Sequence, residues 1–123
     1  MPSPQRRFQI SAAVLALVSA GHTAIARAWM ADPQFKNLPK VAKAYGKGGW
    51  YQGSVFFLIT ALLNYRWSRL HPRGLTDPVD KAIAALNVLL LWASAVWYNR
   101  HGIKDTSAVV GAAGAVQAWA AFF

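Results

Sequence analysis

All thirteen lysines and arginines of this chain lie outside four long uncharged windows, Phe8 to Ala26, Gly48 to Tyr65, Ala82 to Asn99 and Thr106 to Phe123. These windows hold 19, 18, 18 and 18 residues. A helix needs roughly 17 to 25 predominantly apolar residues to cross the hydrocarbon core of a bilayer. The expected fold class is therefore all-α, a four-helix transmembrane bundle within one integral membrane domain over residues 1–123. Helices are expected over about 8–27, 50–68, 78–100 and 106–123.

Composition agrees with that reading. Charged residues make up 14% of the chain, against about 25% in ordinary soluble domains. The deficit is in acids, since Asp32, Asp77, Asp80 and Asp105 are the only four and there is no glutamate. A soluble surface with both signs of charge interspersed cannot be built from these residues. The net charge of +9 would suit nucleic acid if the cations spread over one face of the helices, but they cluster between the windows. Nucleic acid is thus excluded as the expected partner in favour of the lipid bilayer. Without cysteine, disulfides, thiolate metal sites and dithiol chemistry are ruled out.

The first window follows Arg6-Arg7 and ends in Ala24-Ile25-Ala26, the layout of a signal peptide. Against cleavage, Gly21-His22-Thr23 is too polar for a plain apolar core, and the length suits a retained helix. Between the first two windows, Phe35, Leu38, Val41 or Ala42, and Tyr45 recur at helical spacing among Lys36, Lys40, Lys43 and Lys47. This reads as a basic amphipathic segment at the headgroup level. Pro33 suits its start, Pro39 interrupts it, and an irregular basic loop is the plainer alternative. Gly46, Gly48 and Gly49 then lead into Trp50-Tyr51, an interfacial aromatic pair. Thr76-Asp77-Pro78 places a cap before a proline suited to the first helical turn, and Asp105-Thr106 can cap the last helix. Gly111 and Gly114 let that helix approach a neighbour closely. Orientation is not set by charge, because alternation puts six cations on one side and seven on the other.

Four alternating crossings bring the end of the first helix, the start of the second, the end of the third and the start of the fourth to one side. His22, Trp50, Tyr51, Gln52, Tyr98, Asn99 and Arg100 then share an interface, with Arg27, Asp105 and Ser107 nearby. His22 stands out because it lies inside an uncharged window and its unperturbed pKa, about 6.5, allows proton exchange at neutral pH. It is the expected general acid or base, with Gln52, Tyr98, Asn99, Arg100, Trp50 and Tyr51 as ligand-binding residues. The plainer reading makes it a histidine satisfied by a neighbouring helix. Asp80 is the one carboxylate on an inward stripe of the third helix, with Ala84, Asn87, Leu91, Ser94 and Tyr98. It is the second expected catalytic group, although alternation puts it on the side opposite His22, and an N-terminal dipole partner is the plainer role. Asn87, Thr60, Asn64 and Gln117 read as interhelical hydrogen-bonding residues. No phosphate loop, metal-ligand spacing, paired glycosidase carboxylates or nucleophile elbow is present, so no cofactor and no metal are expected.

The run Gly49-Trp50-Tyr51-Gln52-Gly53-Ser54-Val55-Phe56-Phe57, with Leu62-Leu63-Asn64-Tyr65-Arg66-Trp67 after it and Gly21-His22-Thr23 before it, resembles small fungal multi-span integral membrane proteins. In size and segment order the chain is similar to the four-helix membrane proteins that fungal biosynthetic clusters use on lipophilic polyketides and terpenoids, anthrone oxygenases included. The specific motifs of the anthrone oxygenases are missing, so none of their residues carries over. The resemblance implies a cyclisation, isomerisation or oxidation of a small lipophilic metabolite in specialised metabolism, in an endomembrane, by a chain able to form homo-oligomers. The alternative is a non-catalytic membrane subunit or scaffold that binds a protein partner or anionic lipid.

Overall fold

Ser3 accepts a hydrogen bond from the Arg6 backbone N–H at 3.3 Å, and Pro4 follows with its φ already helical. A helix therefore starts there. The computed structural model describes residues 1–123, with five helices and no strand: α1 Pro4–Ala31, α2 Pro33–Lys36, α3 Lys40–Leu70, α4 Pro78–Arg100 and α5 Lys104–Phe122. By length and composition, α1 and α4 can each cross a membrane.

Several boundaries depart from the sequence expectation. Helix α1 extends past the uncharged window at both ends, because charge limits burial in lipid and does not stop a helix. The segment expected to be one basic interfacial element divides into the end of α1, the single turn α2 and the beginning of α3. Asp32 caps α2 through its carboxylate, which accepts from the Gln34 N–H at 2.8 Å. Pro39 then immediately precedes α3. Helix α3 thus begins ten residues before Trp50 and runs straight through Gly46, Gly48 and Gly49. Each glycine costs a helix about 1 kcal/mol relative to alanine, but Phe35 of α2 packs on Gly46, where a Cβ would lie 3.2 Å from the ring. Helix α5 starts at Lys104 without a side-chain cap, so Asp105 and Thr106 sit inside its first turn instead of capping it.

Helix α1 packs antiparallel on α3 and on α5, and α4 packs antiparallel on α5. Helices α3 and α4 make no comparably close approach. Two apolar clusters fill the interior. Leu15, Phe57, Ala61, Leu91, Val110 and Ala113 form one, and Phe8, Trp67, Leu75, Ala84 and Ala120 form the other. At the α4–α5 seam, Trp92 lies over two glycines. Its indole N–H donates to the Gly111 carbonyl at 3.3 Å, and a Cβ on Gly114 would fall 2.6 Å from its ring.

Several polar side chains lie inside among the apolar clusters, and many large apolar ones face outward. Ser11, Ser19, Ser54, Thr60, Asn64, Ser68, Asn87 and Gln117 are buried, while Leu17, Val55, Leu58, Ile59, Leu62, Leu86, Leu89, Leu90, Val96 and Val109 are exposed. Asn64 and Gln117, both fully buried, exchange two amide hydrogen bonds at 2.7 and 3.1 Å.

Candidate functional site around His22

The α1–α3 seam is built from small residues, so the two backbones approach closely at His22. Ser19 Oγ donates to the Ser54 carbonyl at 2.7 Å, and one turn later His22 Nδ1 lies 2.8 Å from Ser54 Oγ. Gly53 leaves room for the imidazole, since a Cβ there would stand 3.1 Å from His22 Cε1. Trp50, four residues before Ser54 and on the same face of α3, stacks on the imidazole at 3.8 Å with an interplanar angle of 9°. Its indole N–H donates to the His22 carbonyl at 2.7 Å. Phe57 meets the imidazole edge-on at 5.3 Å. Beyond Trp50, an aromatic chain continues through Trp29 at 4.9 Å to Phe35 a further 4.8 Å away.

The imidazole is therefore held at one nitrogen and covered on one face by Trp50, while Nε2 makes no hydrogen bond and is not sealed off. Two cavities adjoin it. One, of about 260 Å3, lies where α3 and α4 stay apart; its walls include Phe56, Phe57, Leu90 and Leu91, with Ser94, Tyr98 and Thr106 as polar groups. The other, of about 440 Å3, is a groove between α1 and α5. His22 and Tyr98 are the titratable side chains of the smaller cavity. Such a pair can take a proton from one atom of an apolar guest and deliver one to another.

The residues expected to share this site divide into two groups. His22, Trp50 and Tyr98 converge, and Tyr98 also lines a third cavity of about 410 Å3 with Trp29, Trp50 and Thr106. Tyr51 and Gln52 are exposed and line none of these cavities. They occupy the right level of the helix but the wrong direction, because successive residues are turned by about 100° on a helix of 3.6 residues per turn. Asn99 and Arg100 are exposed for the same reason, and Arg100 flanks an outward groove with Leu89, Trp92 and Trp97. Asp80 does not join His22. It sits in the first turn of α4 at the opposite end, and its carboxylate pairs with His71 Nε2 at 3.1 Å across the α3–α4 turn.

Gly53 and Ser54 line the site without having been singled out, and Ser94 was placed on the inward stripe of the third helix but not in the site. The small pair Gly53-Ser54 one turn after Trp50 is the sequence signal that could have marked Ser54. Thr106 was legible only as a cap. No three His, Cys, Asp or Glu side chains gather at a metal-binding distance. No protein-family model, curated protein or solved structure matches the chain.

Proposed function

We propose that this chain is a multi-pass membrane protein in which α1, α3, α4 and α5 cross the bilayer as a four-helix bundle, and that it acts on a small lipophilic molecule at His22. The membrane reading is supported by the apolar outward faces of all four long helices and by the polar residues enclosed between them. Water would penalise that arrangement, whereas a bilayer favours it. An endomembrane and a tailoring step in specialised metabolism go with the resemblance to fungal membrane proteins.

The observation that carries the functional reading is the imidazole itself: held through Nδ1, stacked on Trp50, and free at Nε2 beside apolar walls. A group held this way is oriented before its substrate arrives, which lowers the cost of reaching the reactive geometry. Isomerisation or cyclisation fits best. Each can proceed by removing a proton from one atom of the guest and returning one to another, with no net loss or gain of electrons. His22 Nε2 is the proton carrier in this scheme, and Tyr98 supplies a hydroxyl that can steady or protonate a developing oxyanion.

The test is loss of the gene in its native host, mass spectrometry of the lipophilic extract, and re-expression of the parent chain or His22→Ala. One accumulated precursor, cleared by the parent and not by a variant of equal abundance, is expected. An unchanged extract, or full rescue by His22→Ala, favours the second reading of a non-catalytic subunit. That reading draws on the Asn64–Gln117 pair and the basic helix ends, which serve assembly and anionic headgroups equally well.

A further inference from the structure

Arg7 is the one charged side chain that the fold encloses, with 7% of its surface exposed. Its neighbour Arg6 points outward and donates to Gln9 Oε1 at 3.3 Å. Arg7 has no such outlet. Its Nε is sealed from the surroundings and meets no acceptor, and the terminal nitrogens, which are not sealed in, donate to no carbonyl, hydroxyl or carboxylate of the chain. What Arg7 does meet is the Trp119 ring in the last turn of α5, whose centroid lies 6.0 Å away. That is the outer limit of a cation–π contact. The two carboxylates at this end of the bundle are both engaged. Asp77 caps α4 by accepting from the Val79 and Asp80 N–H groups, and Asp80 pairs with His71. Arg6, Arg66, Arg69, Arg73 and Lys81 stand exposed at the same end. A guanidinium withdrawn from water without a partner is heavily penalised. The acceptor that completes it therefore comes from outside the chain, and the sign of the surroundings makes it an anion.

The place of Arg7 along the chain says which anion is at hand. It immediately precedes Phe8, the first residue of the uncharged window, and α1 begins one turn earlier at Pro4. Side chains on a helix lean toward its N-terminus, which for α1 is the outer end of the bundle. In a bilayer, Arg7 thus stands where the hydrocarbon gives way to a headgroup layer about 5–7 Å deep. Phosphates are the anions of that layer, and a planar guanidinium donates two parallel N–H bonds to a phosphate. A choline or ethanolamine on the same headgroup would bring a further cation to an end that already holds five exposed ones, whereas a glycerol brings none. We propose that Arg7 is the centre of a phosphate site between α1 and the last turn of α5, and that the site takes the headgroup of one anionic phospholipid of the phosphatidylglycerol type. The site rests on the membrane-spanning part of the proposed function. It shares nothing with the reaction, because His22 lies about 22 Å further along α1 at 1.5 Å per residue.

The experiment keeps the full chain in mild detergent and titrates it with phosphatidylglycerol, phosphatidylcholine or inorganic phosphate. Native mass spectrometry counts bound lipid, and circular dichroism follows the unfolding midpoint. One phosphatidylglycerol is expected to bind in preference to phosphatidylcholine and to raise the midpoint. Arg7→Met keeps an apolar stem and removes the charge, so without lipid it should unfold no more easily than the parent. It should nevertheless bind phosphatidylglycerol at least about tenfold more weakly, the worth of a hydrogen bond to a charged group. Arg66→Met, at an exposed position of the same end, should cost about fivefold at most, the share of one cation near an anionic surface. Arg7→Lys keeps the charge without the planar fork and should fall between the parent and Arg7→Met; it becomes the deciding variant if Arg7→Met loses helix content. Three results would overturn the proposal: equal binding of the two lipids, binding as tight as the parent's by the deciding variant, or inorganic phosphate that raises the midpoint as far as the lipid does. Alkaline carbonate extraction of the parent from membranes tests the membrane reading separately. A released chain removes that reading, whereas a retained chain without the phosphatidylglycerol preference removes the site alone.

Discussion

The Asn64–Gln117 pair gives the most direct measurement of how the interior is held. Both side chains are fully buried and each donates to the other, with Asn64 Nδ2 also reaching the Thr60 carbonyl of its own helix at 2.9 Å. Asn64→Leu keeps the same branching and number of side-chain heavy atoms but leaves the Gln117 amide without its partner. A buried polar group left unsatisfied costs about 1–3 kcal/mol, so a loss of about 2 kcal/mol is expected, and the same for Gln117→Leu. The double variant has no orphaned amide. Side-chain hydrogen bonds between membrane helices couple by about 0.6 kcal/mol on average and about 1.7 at most. The double variant should therefore be more stable than the sum of the singles predicts by about 1 kcal/mol, within that upper limit. Reversible unfolding in mixed micelles with increasing dodecyl sulfate, followed by circular dichroism, reads all four corners of the cycle. Strict additivity, within the roughly 0.3–0.5 kcal/mol expected of independent sites, would refute the direct pairing and with it the register of α3 against α5.

Two further substitutions separate fold from site. Gly114→Leu should destabilise the chain by about 1–3 kcal/mol through overpacking, because Trp92 must leave its place over α5; the same unfolding titration checks this, and an unchanged midpoint would remove the close α4–α5 seam. Gly53→Ala adds a methyl 3.1 Å from His22 Cε1 while improving helix propensity by up to about 1 kcal/mol. It is expected to keep abundance and unfolding midpoint while it lowers clearance of the accumulated precursor, and normal clearance would show that the His22 position is not critical.

Much of the local structure was legible because it depends on local chemistry. The start of α4 follows from Asp77 and Pro78 alone: the aspartate accepts from the Val79 and Asp80 N–H groups at 2.8 and 3.1 Å, and the proline needs no partner. The start of α3 was not legible, because three glycines read as a break and only the packing of Phe35 on Gly46 shows why the helix continues. Uncharged windows also proved a looser criterion than apolar ones. All four lack charge, yet α1 and α4 alone are apolar enough to qualify as spans, and the segment after Trp50 carries Gln52, Thr60 and Asn64. His22 could be picked out as a polar residue within a window, but its partner Ser54 depends on the register of α1 against α3. The levels of Tyr51, Gln52, Asn99 and Arg100 were likewise deducible from alternation, whereas the direction each side chain faces was not. The His71–Asp80 pair forms only once the α3–α4 turn folds back.

The pattern of packing also explains why a cavity opens where it does. Helix α3 lies closely on α1, α4 lies closely on α5, and the contact of α1 with α5 joins the two hairpin-like pairs. The direct amide pair ties α3 to α5 across the interior. The register of the neighbouring contacts brings Ser11 of α1 and Asn87 of α4 to the same level, between the two apolar clusters. The Ser11 hydroxyl and the Asn87 amide nitrogen find no partner there. The polar layer therefore secures α3 and α5 to each other but leaves α4 without a side-chain bond to α3. Nothing equivalent closes the α3–α4 seam further along, where Leu90, Ser94 and Tyr98 face Trp50, Gly53 and Phe56 across about 260 Å3. On the proposed membrane reading, helices gain little from hydrophobic burial against each other, so a seam without side-chain hydrogen bonds separates more easily than one that has them. His22 borders that seam from α1, rigidly held from the opposite side by Ser54 and Trp50. A guest that enters between α3 and α4 thus meets a fixed imidazole without having to displace the contacts that hold it.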